Sequence, residues 1–242
     1  MGRRLRPRAL GPVGALAAAA TLAACAGGAT APAGSWLHPS FGTGQLVGQA
    51  IVVLPVGVVV APEGAPSDSA AVALALLAGD ALAAAIEAGG AAGVAFQPAE
   101  ALAALAGLSP EELVALGSSL DPSLLEPARG GELSPEAATR WRDVATRTEE
   151  RYFLAPRSIA IERLEPLRVQ ATFDAWLVDA TAGVVVWRAR VSARNPNAPS
   201  GAAVDVYEAA LEDAVTAAAG RLVSRLASLA RTGVDDFEAA SH

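Results

Sequence analysis

Between Arg168 and Arg194 the chain alternates with a period of two on both sides of a short turn, a pattern few folds can accommodate. Val169, Ala171, Phe173, Ala175 and Leu177 fall on one side of the outgoing segment. Val185, Trp187, Ala189 and Val191 fall on one side of the return. Successive strand side chains point to opposite faces, so the pattern predicts an antiparallel hairpin with one apolar face. The Asp179 to Gly183 corner (DATAG) suits the turn, because the Asp179 carboxylate can accept from turn amides and Gly183 tolerates a positive φ. Pairing Val178 with Val184 would set Ala175 opposite Trp187 and Phe173 opposite Ala189, with Asp174 opposite Arg188 on the other face. Large side chains then meet small ones and acid meets base, whereas a slip of one residue would mix the apolar and charged sets. On this reading Trp187 is core and Asp174–Arg188 is a weak exposed pair. Trp176, on the opposite strand face, lies either under a helix or in a groove that binds a partner.

The other elements follow from local signals. AIVVLPVGVVV, Ala50 to Val60, is the β-branched run of a strand buried on both faces. Pro55 predicts a bulge or strand end within it, since proline cannot donate to a ladder. Ser67-Asp68-Ser69 opens a helix that stops at Gly89-Gly90. Asp80 and Glu87 share one of its faces and the rest is Ala, Leu, Val and Ile, so most of this helix is expected to be covered. A strand at Ala92 to Gln97 and a short helix at Pro98 to Leu105 come next. Ser109-Pro110-Glu111-Glu112 and Ser134-Pro135-Glu136 each place Ser at the N-cap and Pro at the first helical position. A surface loop is expected between those two helices, and the second should run to about Glu150. RYFLAPRSIAIE reads as a strand that is bulged at Pro156 or lies at an edge. A final helix from about Ala203 to Arg231 carries an unbroken apolar stripe from Val204 to Leu229, and Gly233 closes it. The fold class is therefore α/β (α+β): a mixed sheet of about five strands with a β-hairpin, packed by helices that include a long C-terminal amphipathic one.

The chain begins with Arg3, Arg4, Arg6 and Arg8, then a low-polarity stretch, then Leu22-Ala23-Ala24-Cys25. This is the n-region, h-region and small-residue site of an export signal. Gly11, Pro12 and Gly14 interrupt the h-region, which falls short of the roughly 20 apolar residues that span a bilayer. Leu-Ala-Ala-Cys resembles the bacterial lipobox, which implies a diacylglycerol on the Cys25 sulfur and cleavage just before it; the alternative is a plain secretory signal with an incidental cysteine. Ala26 is not the aspartate that retains such proteins at an inner membrane, so the resemblance implies an outer-membrane, periplasm-facing lipoprotein. The expected organisation is a signal peptide at 1–24, a lipidated tether at 25–48, the α/β domain at 49–233 and an acidic tail at 234–242. Trp36, Leu37 and Phe41 are too apolar for pure tether and either dock back on the domain or form a partner-binding patch.

Composition removes several classes of function. Cys25 is the only cysteine, so no intrachain disulfide can form and no thiol is left for catalysis or metal binding. Cleavage would remove four of 18 basic residues and none of 25 acidic ones, taking the formal charge from −7 to 14 − 25 = −11. So acidic a body is repelled by nucleic-acid backbones. The chain has no lysine for a phosphate-binding GxxxxGK[ST] loop and no GxSxG. Gly42-Thr43-Gly44 precedes the first long strand instead of leading from it into a helix. His38 and His242, the only histidines, are placed neither to serve a nucleophile nor to build a zinc site. Asp235, Asp236 and Glu238 lack the spacing and glycine of a calcium loop. The expectation is no catalytic residue, no metal, no cofactor and no enzymatic activity.

The order strand, helix, strand, helices, strand, hairpin, long helix resembles the α/β domain shared by the curli-secretion lipoprotein, the lipoprotein activators of peptidoglycan synthases and the N-terminal domain of TolB. IVVLPV, the LVDATAGVVVW hairpin and the closing helix carry the resemblance, which covers most of Ala50 to Arg231. It implies a non-catalytic, membrane-anchored lipoprotein that binds an envelope protein as an adaptor or assembly factor. The alternative is an auxiliary lipoprotein of an envelope transport system for lipid or another small molecule. No pair of alternating ten-residue segments remains to serve as membrane-crossing hairpins, which argues against a pore.

Overall fold

The computed structural model describes residues 35–42, 44–60, 68–89, 95–99, 106–126, 129–165, 168–196 and 203–232. All lie in the compact unit Ala31–His242. The signal sequence, Cys25, the acidic tail and most of the short helix expected at Pro98 to Leu105 lie outside the described residues.

A seven-stranded mixed sheet organises the domain. Its strands are β1 (Ser35–Leu37), β2 (Ala50–Val53), β3 (Val58–Val60), β4 (Ala95–Pro98), β5 (Tyr152–Glu165), β6 (Arg168–Asp179) and β7 (Val184–Arg194). The helices are α1 (Asp68–Gly89), α2 (Pro110–Ser118), α3 (Pro135–Thr148) and α4 (Ala203–Thr232), with a 3-10 turn at Pro122–Leu125. The strand order is β1-β7-β6-β5-β2-β4. Strands β5, β6 and β7 form an antiparallel meander, while β2 runs parallel to both β4 and β5.

Two prolines explain the interruption in the middle. Strand β2 pairs with Tyr152 to Leu154, and β3 pairs with Ser158 to Ala160 farther along the same edge of β5. Between them the Gly57 amide donates to the Pro156 carbonyl at 3.1 Å, and the β5–β6 register shifts between Pro156 and Ser158. The expected single strand from Ala50 to Val60 is thus two strands with Pro55 in the break. Pro156 takes the bulge it was expected to need, on a strand that has neighbours on both sides.

The hairpin keeps the predicted faces except at Val185, which lies on the Trp176 side, and does not keep the predicted register. Trp187 pairs with Leu177, Ala189 with Ala175 and Arg188 with Trp176, and a further shift lies between Leu177 and Val178, so that Val178 meets Val185. A displacement of two leaves the side chains up to Leu177 and from Trp187 onward on their own faces, which is why alternation alone did not detect it, whereas the one-residue shift at the corner turns Val185 to the face of Trp176. At the corner, the Asp179 carboxylate accepts from the Ala182 amide at 2.9 Å and Gly183 adopts φ 75°, both as expected. A Cβ at Gly183 would stand 2.9 Å from the Ala138 Cβ, so the corner is pressed against α3. Arg142 of α3 donates to the Thr181 and Ala182 carbonyls across the same contact.

Both sheet faces are buried. On one, Ile51, Leu154, Phe173, Leu177 and Trp187 pack against α1 and α4, with Leu222 and Leu226 of α4 fully covered. On the other, Phe153, Trp176, Val178 and Val185 pack under α2 and α3 with Leu116, Trp141 and, just beyond the end of α2, Leu120. The two helix starts behave as read: the Ser109 hydroxyl and Glu112 form a reciprocal cap, and Ser134 accepts from the Ala137 amide. The bond from the Ser109 amide, helped by Arg147, holds the Glu112 carboxyl below the ordinary carboxylate range.

Two expectations are corrected at the margins. The segment assigned to the tether up to residue 48 contains β1, which pairs antiparallel with β7, and Phe41, which is buried edge-on to Tyr152. The sheet therefore begins at Ser35, and Trp36, Leu37 and Phe41 dock on the domain. The loop between α2 and α3 is not simply surface. Leu124 is buried, and Gly131, at φ 85°, lies where any Cβ would come within 2.5 Å of the Trp36 ring.

Trp187 is fully buried in the α1/α4 core. Trp187→Ala is expected to cost about 3 to 5 kcal/mol, read as a lowered urea midpoint or failure to accumulate folded protein. A loss below about 1 kcal/mol would show that this core does not depend on it.

Candidate functional site

The least conventional surface belongs to α1. Over an 18-residue window its mean hydropathy is 2.0, long and apolar enough to cross a membrane, yet only 17% of that window is buried. This corrects the expectation that most of α1 is covered. One side does pack: Ala78, Ala81 and Leu82 are buried, and Gly89 approaches Val223 of α4. The other side leaves Val72 at 59% and Leu76 at 64% exposure.

Val72, Leu76, Gly79, Asp80, Ala83 and Glu87 recur at steps of three, four and one, which places them within about 100° of one another on the helix. They form one wall of a groove of about 510 Å³. The β2–β3 break, Val53 to Val56, and Phe96 and Gln97 of the edge strand β4 complete it. Pro55 therefore has a second consequence, since by ending β2 it opens the floor of this groove. Gly79 adds depth, because a Cβ built there meets nothing within 4 Å. Among the described residues Asp80 and Glu87 are the only charged ones lining the groove, and neither has an ion-pair partner there. Sequence reading missed the site because it expected the apolar remainder of this helix to be covered. The clue was that Val72 and Leu76 share their face.

Trp176 occupies a different environment. It is fully buried beneath α2 and α3, so the partner-groove placement is corrected in favour of the helix-covered one. Its indole N–H donates to Asp174 Oδ1 at 3.0 Å, and Arg188 grips the same carboxylate through Nε at 2.8 Å and Nη2 at 2.6 Å. Arg157 and Arg188 lie 5.7 and 5.3 Å from the ring centroid. Arg188 sits opposite Trp176 and reaches diagonally to Asp174, whose own cross-strand neighbour is Arg190. The pair predicted to be exposed is thus largely covered and tied to a buried indole.

Other polar clusters are structural. Arg151 donates twice to Asp179 Oδ2, at 2.9 and 2.6 Å, which secures the hairpin corner and holds the guanidinium charged. An open cavity of about 550 Å³ at the far end of β6 and β7 is lined by Gln170, Arg194 and Arg221. Arg194 bonds Gln170, and Arg221 donates to the Ser192 carbonyl. Among the described residues no group of three His, Cys, Asp or Glu side chains could hold a metal ion. His38 bonds Ser40 beside the edge of Trp36. Cys25 lies outside the described residues.

No protein-family model and no curated protein matches this chain. Among solved structures it is similar to the PelC dodecamer from Paraburkholderia phytofirmans, at 17% identity over 78% of this chain and 92% of that one, with TM-score 0.36. It is also similar to the LpoB C-terminal domain from Salmonella enterica, at 14% identity over 62% and 84%, with TM-score 0.28. A third is lipoprotein GNA1162 from Neisseria meningitidis, at 14% identity over 63% and 85%, with TM-score 0.31. These TM-scores lie below one half and assign neither family nor function to this chain.

Two substitutions separate working from idle polar groups. Asp174→Ala strips acceptors from a buried indole and a largely covered arginine and should cost about 1.5 to 3 kcal/mol. The Tyr152 hydroxyl is buried without a hydrogen bond among the described residues, and burial pushes its pKa up. Tyr152→Phe should therefore be neutral or stabilising by up to about 1 kcal/mol. Urea unfolding measures both, and equal losses would contradict the assignment.

Proposed function

We propose that this chain is a non-catalytic lipoprotein of the bacterial envelope, anchored by a diacylglycerol on Cys25, whose α/β domain acts as an adaptor by docking another envelope protein. The observation that carries the reading is the exposed apolar side of α1, on a domain whose other large apolar residues are mostly buried. The lipobox-like Leu22-Ala23-Ala24-Cys25 supports the anchor, and Ala26 supports an outer-membrane, periplasm-facing position. With the sheet beginning at Ser35, the link from Cys25 spans at most about 35 Å even when fully extended. The domain then works close to its membrane.

The groove itself favours a second reading, an auxiliary lipoprotein of a lipid or small-molecule transport system. Its volume and apolar walls suit an acyl chain. Against this, the charges that line it among the described residues are carboxylates, which repel a phosphate or carboxylate headgroup.

Cys25→Ala should move the protein out of the membrane fraction, and retention after a high-salt wash would contradict the anchor. Mass spectrometry of an organic extract then separates the two readings. One lipid per chain supports transport, and its absence supports the adaptor.

A further inference from the structure

The adaptor reading leaves open what the α1 groove recognises, and the following rests on that reading. We infer that the groove takes a basic amphipathic helix of the partner protein, with apolar side chains over Leu76, Gly79 and Ala83 and cationic side chains on Asp80 and Glu87.

The occupant follows from shape and charge together. From Val72 to Glu87 the exposed wall runs about 22 Å at 1.5 Å per residue, four turns of helix. Gly79 and Ala83 sit near its middle, and small side chains there let a second helix approach closely. Asp80 and Glu87, seven residues apart, are about 10 Å apart along the axis. A neighbouring helix with Lys or Arg at i and i+7 meets both carboxylates while its i+3 and i+4 residues fall on the small centre. The same charges disfavour the other occupants. A second copy docked α1 to α1 would set Asp80 and Glu87 against their own equivalents, and a membrane surface rich in anionic lipid would meet carboxylates without a cation.

The test uses the complete mature chain with Cys25→Ala, so that no detergent competes for the groove. The probes are two fluorescein-labelled 18-residue helical peptides with the same leucine and alanine face. One has lysines at i and i+7, and the other has glutamates there. Anisotropy should show the lysine peptide binding on the order of tenfold more tightly at low salt, with the preference shrinking as salt rises. Leu76→Glu and Gly79→Phe should each abolish binding with unchanged melting curves, since both positions are open to solvent. Asp80→Arg combined with Glu87→Arg should reverse the preference.

Equal affinity for both peptides, or no binding of either, overturns the inference. So does self-association that Leu76→Glu abolishes, which would make the occupant a second copy. Leu76-dependent sedimentation with phosphatidylglycerol vesicles would make it a lipid surface. If neither peptide binds while a photocrosslinker at Val114 on α2 captures an envelope protein, this inference falls and the adaptor reading stands. If stoichiometric lipid is extracted from the chain, the adaptor reading falls with it.

Discussion

Burial of a tryptophan on each face of one antiparallel ladder holds this domain together. In β6 and β7, Leu177 faces Trp187 and Trp176 faces Arg188, so adjacent rungs send one indole into each of two cores. Burying side chains of that size is the largest favourable contribution single residues here can make, and it is made twice within two rungs. The α1/α4 layer closes over one indole and the α2/α3 layer over the other. Strand β1 extends the ladder by pairing Leu37 with Trp187. Even the hairpin corner is recruited, because Gly183 presses on α3 while Asp179 holds both the turn amide and Arg151.

Such a sheet is legible by parity more than by register. Alternation placed the hairpin residues on their correct faces except Val185, which the shift at the corner turns to the Trp176 side, yet the pairing is displaced by two, since such a displacement costs no change of face. The caps at Ser109 and Ser134, the bulge at Pro156 and the extent of α4 were readable because each rests on a local rule. Strand β1 was not, because three residues are too few for a periodicity. Trp176 stood among Gln170, Thr172 and Asp174 in a pattern that reads as a polar face. Helices α2 and α3 cover that face fully at Trp176 and Val178, while Gln170 and Asp174 are half-buried.

The α1 surface failed to show for a related reason. Composition says that a helix is apolar all round; it does not say which side finds a cover. In the fold α4 covers one side, while the Pro55 break leaves a hollow beside the other. Two carboxylates line that hollow without a counter-charge among the described residues. The conjunction of apolar relief and unpaired charge is what separates this groove from the polar cavity near Arg221, which donates from α4 to the Ser192 carbonyl of β7.

The central claim is that the outer side of α1 is occupied in the cell. Cys25 is the sole cysteine and the proposed lipid acceptor, so a thiol introduced at Leu76 or Val114 would be the only free one. Maleimide labelling of Leu76→Cys and Val114→Cys, in purified protein and in native envelopes, measures the occupancy directly. Both thiols should react at similar rates when the protein is pure, and in envelopes the one at 76 should slow on the order of tenfold while the one at 114 is unchanged. Equal reactivity at 76 in the two preparations would contradict the account.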